Sequence, residues 1–74
     1  MTFLIDGQQL PFENEKALVQ YLFDTARVRS RSVNDYMLDF AARAAIDNDY
    51  DIRAHDFVLF VADATAAGYL KRID

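Results

Sequence analysis

The stretch Phe3-Leu4-Ile5-Asp6-Gly7-Gln8-Gln9-Leu10 decides how the first part of the chain folds. An Asp-Gly pair between apolar residues is the strongest short signal for a two-residue hairpin turn, because both turn positions need a positive φ angle. A turn at Asp6-Gly7 pairs Phe3 with Leu10 and places Phe3, Ile5 and Leu10 on one face of the hairpin. We therefore predict an N-terminal β-hairpin that buries this face.

Apolar residues recur at helical spacing in the two segments that follow the hairpin. The first segment has Asn14 as a suitable N-cap and predicts a helix from about Glu15 to Arg27. The second predicts a helix that begins at Ser32, which forms an approximate capping box with Asp35. Because the second helix has very few polar positions, we expect it to lie at the centre of the fold.

The six apolar residues 57–62 fit a buried strand as well as a helix. A strand would leave only one unsupported turn before Gly68, whereas a helix from about Ala54 to Ala67 would end at that glycine. We therefore predict a third helix, with Asp56 in its first turn and Ile52 just before it, and a short extended segment over 69–73. The predicted fold is a single α+β domain over residues 1–74, predominantly helical, with the order ββααα and a possible C-terminal strand.

The composition excludes several classes of protein. The 74 residues include 8 basic and 12 acidic side chains, a net charge of −4, and 53% are apolar. This is too apolar for a disordered chain, and the acidic balance argues against general nucleic-acid coating. No cysteine is present, which excludes disulfides and thiolate metal sites. No secretory signal is recognisable, so we expect a cytoplasmic protein that does not enter membranes.

Few residues suggest catalysis or cofactor binding. His55 is the only histidine, and one histidine cannot supply the network that proton transfer requires, so we expect no enzyme activity. Asp47, Asp49 and Asp51 copy the start of a calcium loop, but Ile52 replaces its essential glycine. We therefore expect neither a metal site nor a cofactor.

Arg27, Arg29 and Arg31 form a basic cluster between the first two helices, against the sign of the net charge. They are either a solubilising loop or a site that binds an acidic partner. Two of these cations crowd the positive N-terminal end of the second helix, while aspartates gather at its negative C-terminal end. Because local rules tend to be broken at functional sites, this pattern favours the binding site.

The predicted helices have more apolar surface than so short a chain can bury. On the third helix, Leu59 lies between Asp56 and Asp63 and, with Ala66 and the edge of Phe60, predicts an apolar patch. A two-fold homodimer is the commonest way to cover such a patch.

The sequence thus predicts a non-catalytic protein–protein interaction module, a homodimeric accessory or inhibitor protein that acts through an apolar helix face and clustered charges. The alternative is a nucleic-acid-associated regulator that binds through Arg27, Arg29 and Arg31. The partner itself cannot be read from these residues.

Overall fold

The computed structural model describes residues 1–74 and contains three strands and three helices. The strands form one antiparallel sheet in the order β2-β1-β3. The predicted α+β arrangement, with an N-terminal hairpin, three helices and a short closing strand, is confirmed. The elements are β1 (Thr2–Ile5), β2 (Gln8–Pro11), α1 (Glu15–Thr25), α2 (Val33–Asn48), α3 (Phe57–Ala66) and β3 (Lys71–Arg72).

The hairpin has the predicted turn and register. Asp6 and Gly7 have φ angles of 51° and 80°, the two positive values that this turn requires. Phe3 pairs with Leu10 and is fully buried, whereas Pro11 lies in the edge strand β2, where its missing N–H costs no ladder bond. The turn therefore fixes which hairpin face packs against the helices.

A polar side chain caps the start of each helix. Such a cap accepts a hydrogen bond from a backbone N–H that would otherwise have no partner in the first turn. The caps are Asn14 Oδ1 to Ala17 N at 2.9 Å, Ser32 Oγ to Asp35 N at 3.1 Å, and Asp56 Oδ1 to Leu59 N at 3.0 Å.

Two predicted helix boundaries are wrong. Helix α1 ends at Thr25 because Ala26 is already extended. Helix α3 starts three residues later than predicted, since Asp56 is its N-cap, and Ile52 is buried in the core well before the helix begins. The predicted end is confirmed: Gly68 follows the helix with a φ angle of 88°, a conformation that favours glycine.

The core contains ten buried apolar residues, and α3 contributes the most of any element. Helix α1 packs on both α3 and α2. Helix α2, although it is the longest with 16 residues, fully buries only Met37 and Ala44. The prediction that α2 is the central helix is therefore wrong. None of the three helices has the length and apolarity that crossing a bilayer requires.

A bidentate ion pair ties the segment between α2 and α3 to α3. Arg53 donates from Nε and Nη2 to the two carboxylate oxygens of Asp63, at 2.8 and 2.9 Å, and its backbone N–H donates to Asp63 Oδ2 at 2.9 Å. The side-chain hydrogen bonds from Arg53, followed by the backbone one, lower the pKa of Asp63 to about 2. This pair lies beside Ile52 in sequence and holds that residue against the core.

We expect Asp63→Asn to flatten the acid sensitivity of the protein. Because the folded pKa of Asp63 lies below its ordinary value of 3.8, its stabilising effect is present above about pH 4 and is lost as the pH falls towards 2. Urea denaturation at neutral pH and at low pH should show that the variant is less stable at neutral pH and loses less stability in acid.

Glu13→Gln is the control, because Glu13 is exposed and makes no ion pair. Asp74, whose pKa Arg72 also lowers to about 2, keeps some acid sensitivity in both variants. An Asp63→Asn profile identical to that of the control would contradict the prediction.

Candidate interaction surfaces

The connection between α1 and α2 carries the three predicted arginines, and we call residues 27–31 the basic loop. Arg27, Arg29 and Arg31 are exposed, and none of them forms an ion pair within the chain. The hydroxyl of Ser30 donates to Asp39 Oδ2 at 2.9 Å, which holds the loop against α2. Val28 is 70% exposed between two cations.

An open cavity of about 480 Å³ lies between the basic loop, α2 and the residue that follows Gly68. Three aromatic side chains line it, and we call it the aromatic groove. Phe40 contacts Tyr69 edge to face, with ring centres 5.2 Å apart, and lies 6.3 Å from Tyr36. The groove volume falls within the range of known ligand sites, roughly 300–1,000 Å³.

The charged side chains of the groove leave one net positive charge. Arg27 and Arg43 line it together with a single carboxylate, that of Asp47, and neither guanidinium is ion-paired. Asn48 also lines it and donates from Nδ2 to the hydroxyl of Tyr69 at 2.6 Å. The groove therefore presents two free guanidinium forks beside aromatic rings, which suits a ligand that carries both a carboxylate and an apolar group.

The pKa of the Tyr36 phenol is shifted by its surroundings in the groove. Its half-burial against the helices raises its pKa, and the nearby Arg43 cation opposes that rise. Arg43 therefore acts electrostatically on the floor of the aromatic groove.

The structure brings only one of the three predicted arginines into the groove. Arg27 lines it, whereas Arg29 and Arg31 lie outside. Sequence reasoning did not identify Arg43 or Tyr69 as site residues. Arg43 shares one side of α2 with Tyr36, Phe40 and Asp47, a spacing that is visible in the sequence, but nothing local indicates that Tyr69 packs there.

A second surface lies on the outward side of α2. Leu38 and Ile46 are 56% and 82% exposed, and Ala42 between them is exposed as well. Ala45 is also exposed beside them. We call these four residues the outer row; they line none of the four cavities of the molecule. The spacing of three, four and eight residues makes them neighbours on one helix face.

The apolar patch predicted on α3 is smaller than expected. Phe60 is completely buried in the core, so the expectation that its edge reaches the surface is corrected. Leu59 is half-buried and only Ala66 is exposed, because α3 packs against α1 and contributes to the core. Val58, at 54%, is the most exposed large apolar side chain on this helix.

The aspartates and the histidine that the sequence suggested as candidates do not come together into a site. Asp47, Asp49 and Asp51 are exposed, and no three acidic or histidine side chains converge as a metal site would require. His55 is exposed and its side chain makes no hydrogen bond.

Comparison of the chain with models of protein families, with curated proteins and with solved structures finds no significant match.

We expect Arg43→Gln to raise the pKa of Tyr36 further, because the substitution removes the cation that favours the tyrosinate form. Tyrosinate absorbance, titrated at alkaline pH, measures the shift when each protein is compared with its own Tyr36→Phe counterpart. Arg31→Gln, which removes an equal charge outside the groove, should leave the pKa unchanged. Equal shifts in the two variants would show that Arg43 has no specific effect on the groove.

Proposed function

We propose that this chain is a non-catalytic protein–protein interaction module, a small cytoplasmic accessory or inhibitor protein that works as a homodimer. The observation that carries the proposal is the outer row of α2, where two large aliphatic side chains, two helical turns apart, lie in solvent. Full burial of such a side chain contributes roughly 1.5–3 kcal/mol. Contiguous apolar surface of this kind marks interfaces.

The outer row has a pattern that suits pairing with its own copy. Along the helix, the row has a large side chain at Leu38, a small one at Ala42 and a large one at Ile46. The order of sizes is therefore the same in either direction. In an antiparallel pair of α2 helices, Leu38 of one copy lies beside Ile46 of the other, and the two Ala42 residues meet at the crossing. A small residue at that point allows the helices to approach closely, and the two-fold symmetry makes the contact self-complementary.

Charge favours the same antiparallel arrangement. The basic loop precedes α2, and the aspartates at 47, 49 and 51 lie at its opposite end. Antiparallel pairing brings the basic loop of each copy towards the acidic end of the other, whereas parallel pairing brings like charges together. The clustered charges therefore select the orientation, and the apolar row supplies the contact area.

A non-catalytic role is supported by the lack of a partner for His55, which lies exposed in the segment before α3. The free charges and apolar side chains sit on open surface and not in a closed pocket. Such surfaces bind macromolecules more readily than they shield a reaction from water.

A nucleic-acid-associated regulator remains the second candidate, because Arg27, Arg29 and Arg31 are exposed and unpaired. Against it, α2 carries aspartates at both ends, which would repel phosphates. Binding of a single-stranded RNA that falls steeply with salt, and that is lost when all three arginines become glutamate, would favour this candidate.

We expect the wild-type protein to be a dimer at tens of micromolar, on the order of the concentrations at which weak interfaces persist. Leu38→Glu should give monomers, since it would place an unpaired charge in the interface. Light scattering coupled to size exclusion measures the mass, and circular dichroism checks that the fold is retained.

Val58→Glu is the matched control, because Val58 is as exposed as Leu38 but lies on α3. This variant should remain dimeric. If Leu59→Glu gives monomers and Leu38→Glu does not, the interface lies on α3, as the sequence predicted, and the assignment to α2 fails. A monomeric wild type would refute the homodimer altogether.

A further inference from the structure

We propose that the aromatic groove binds an acidic peptide segment of a partner protein, in which a carboxylate lies next to an aromatic or large aliphatic side chain. This inference rests on the proposed function, since it names what an interaction module would recognise. It concerns a different side of α2 from the outer row.

The charge of the occupant follows from the two free guanidinium groups. Arg27 and Arg43 approach the groove from different elements, the basic loop and α2, and neither has an ion-pair partner. Each can hold a carboxylate with two parallel hydrogen bonds. Arg29 and Arg31 lie outside the groove, and in the proposed dimer they face the acidic end of the other copy. One or two carboxylates of the occupant, held by Arg27 and Arg43, would therefore match the groove.

The apolar part of the occupant follows from the walls. Tyr36, Phe40 and Tyr69 present ring faces and edges, and Val28 offers a further apolar contact at the rim. Aromatic side chains pack favourably against such rings, edge to face or offset. An occupant that is only charged would leave these walls in contact with water.

The groove suits a peptide better than a free small acid. It is open, and most of its polar lining is exposed, so a small ligand would not be enclosed. The amide of Asn48 uses one hydrogen to bind Tyr69 and keeps its oxygen and second hydrogen free. These are the acceptor and donor that a peptide group requires.

The carboxylate of Asp47 lies in the groove and favours a peptide over a nucleic acid. It repels the carboxylates of an acidic peptide as it repels phosphates, but beside a peptide it can also accept a backbone N–H. A phosphate backbone offers Asp47 no such donor.

The test is a titration of the wild-type protein with a fluorescent, end-blocked peptide of sequence Gly-Asp-Phe-Asp-Leu-Gly. The matched probe Gly-Asn-Phe-Asn-Leu-Gly has the same shape without the charges. We expect the acidic peptide to bind, and the neutral one to bind at least about tenfold more weakly. The double variant Arg27→Gln with Arg43→Gln should also bind the acidic peptide more weakly than the wild type. Each guanidinium that is removed should weaken binding by about tenfold.

Lys16→Gln is the control variant, since it removes one exposed charge from α1 without touching the groove. It should bind like the wild type. Equal binding of the two peptides, or full binding by the arginine variant with an unchanged melting curve, would overturn the proposal. Phenylacetate that binds as tightly as the peptide would assign the groove to small acids instead. Displacement of the peptide by a single-stranded RNA would assign it to nucleic acid.

Failure of this proposal can be told apart from failure of the homodimer. Leu38→Glu alters the outer row, which lines no part of the groove, so this variant should bind the acidic peptide like the wild type even as a monomer. Loss of peptide binding in Leu38→Glu, with the fold retained, would show that the groove is not an independent site.

Discussion

The edge-to-face contact between Phe40 and Phe60, with ring centres 5.2 Å apart, joins α2 to the buried core of α3. Phe60 is fully buried in α3, whereas α2 fully buries only Met37 and Ala44 of its own residues. Phe40 also contacts Tyr69 at the same separation, so one ring joins the core to the aromatic groove. Both candidate surfaces are sides of α2, so both depend on how α2 packs against α1 and, through Phe40, against α3.

The exposure of the outer row follows from the size of the chain. A domain of this length hides only about 60% of the surface that its unfolded chain exposes. Helix α3 contributes the most buried residues to the core and packs against α1, and no element remains to cover the far side of α2. Leu38 and Ile46 lie in water as a consequence. Within one chain nothing covers this apolar surface, whereas in the dimer that we propose a second copy would supply the missing helix.

Local chemistry was predictable from the sequence, and long-range packing was not. The turn at Asp6-Gly7 and the caps at Asn14 and Ser32 depend on neighbours within a few residues, and all three were predicted. The choice between the two apolar rows of α2 was not, because both have helical period and only packing against α1 and α3 buries one of them. The aromatic groove could not be predicted for the same reason. Its wall at Tyr69 comes from a segment far along the chain from the basic loop.

The charges at the two ends of α2 also depend on what lies outside a single chain. Cations beside the start of a helix and carboxylates beside its end each oppose the helix dipole, at a cost of roughly 0.3–1 kcal/mol. Asp49 ends the helix with a left-handed φ of 59°, a conformation that aspartate adopts more readily than most side chains. Arg29 and Arg31 have no ion-pair partner within the chain, and Asp35 is the one acid in the first turn of α2. In the dimer that we propose, an antiparallel copy would bring the opposite charge to each end of α2.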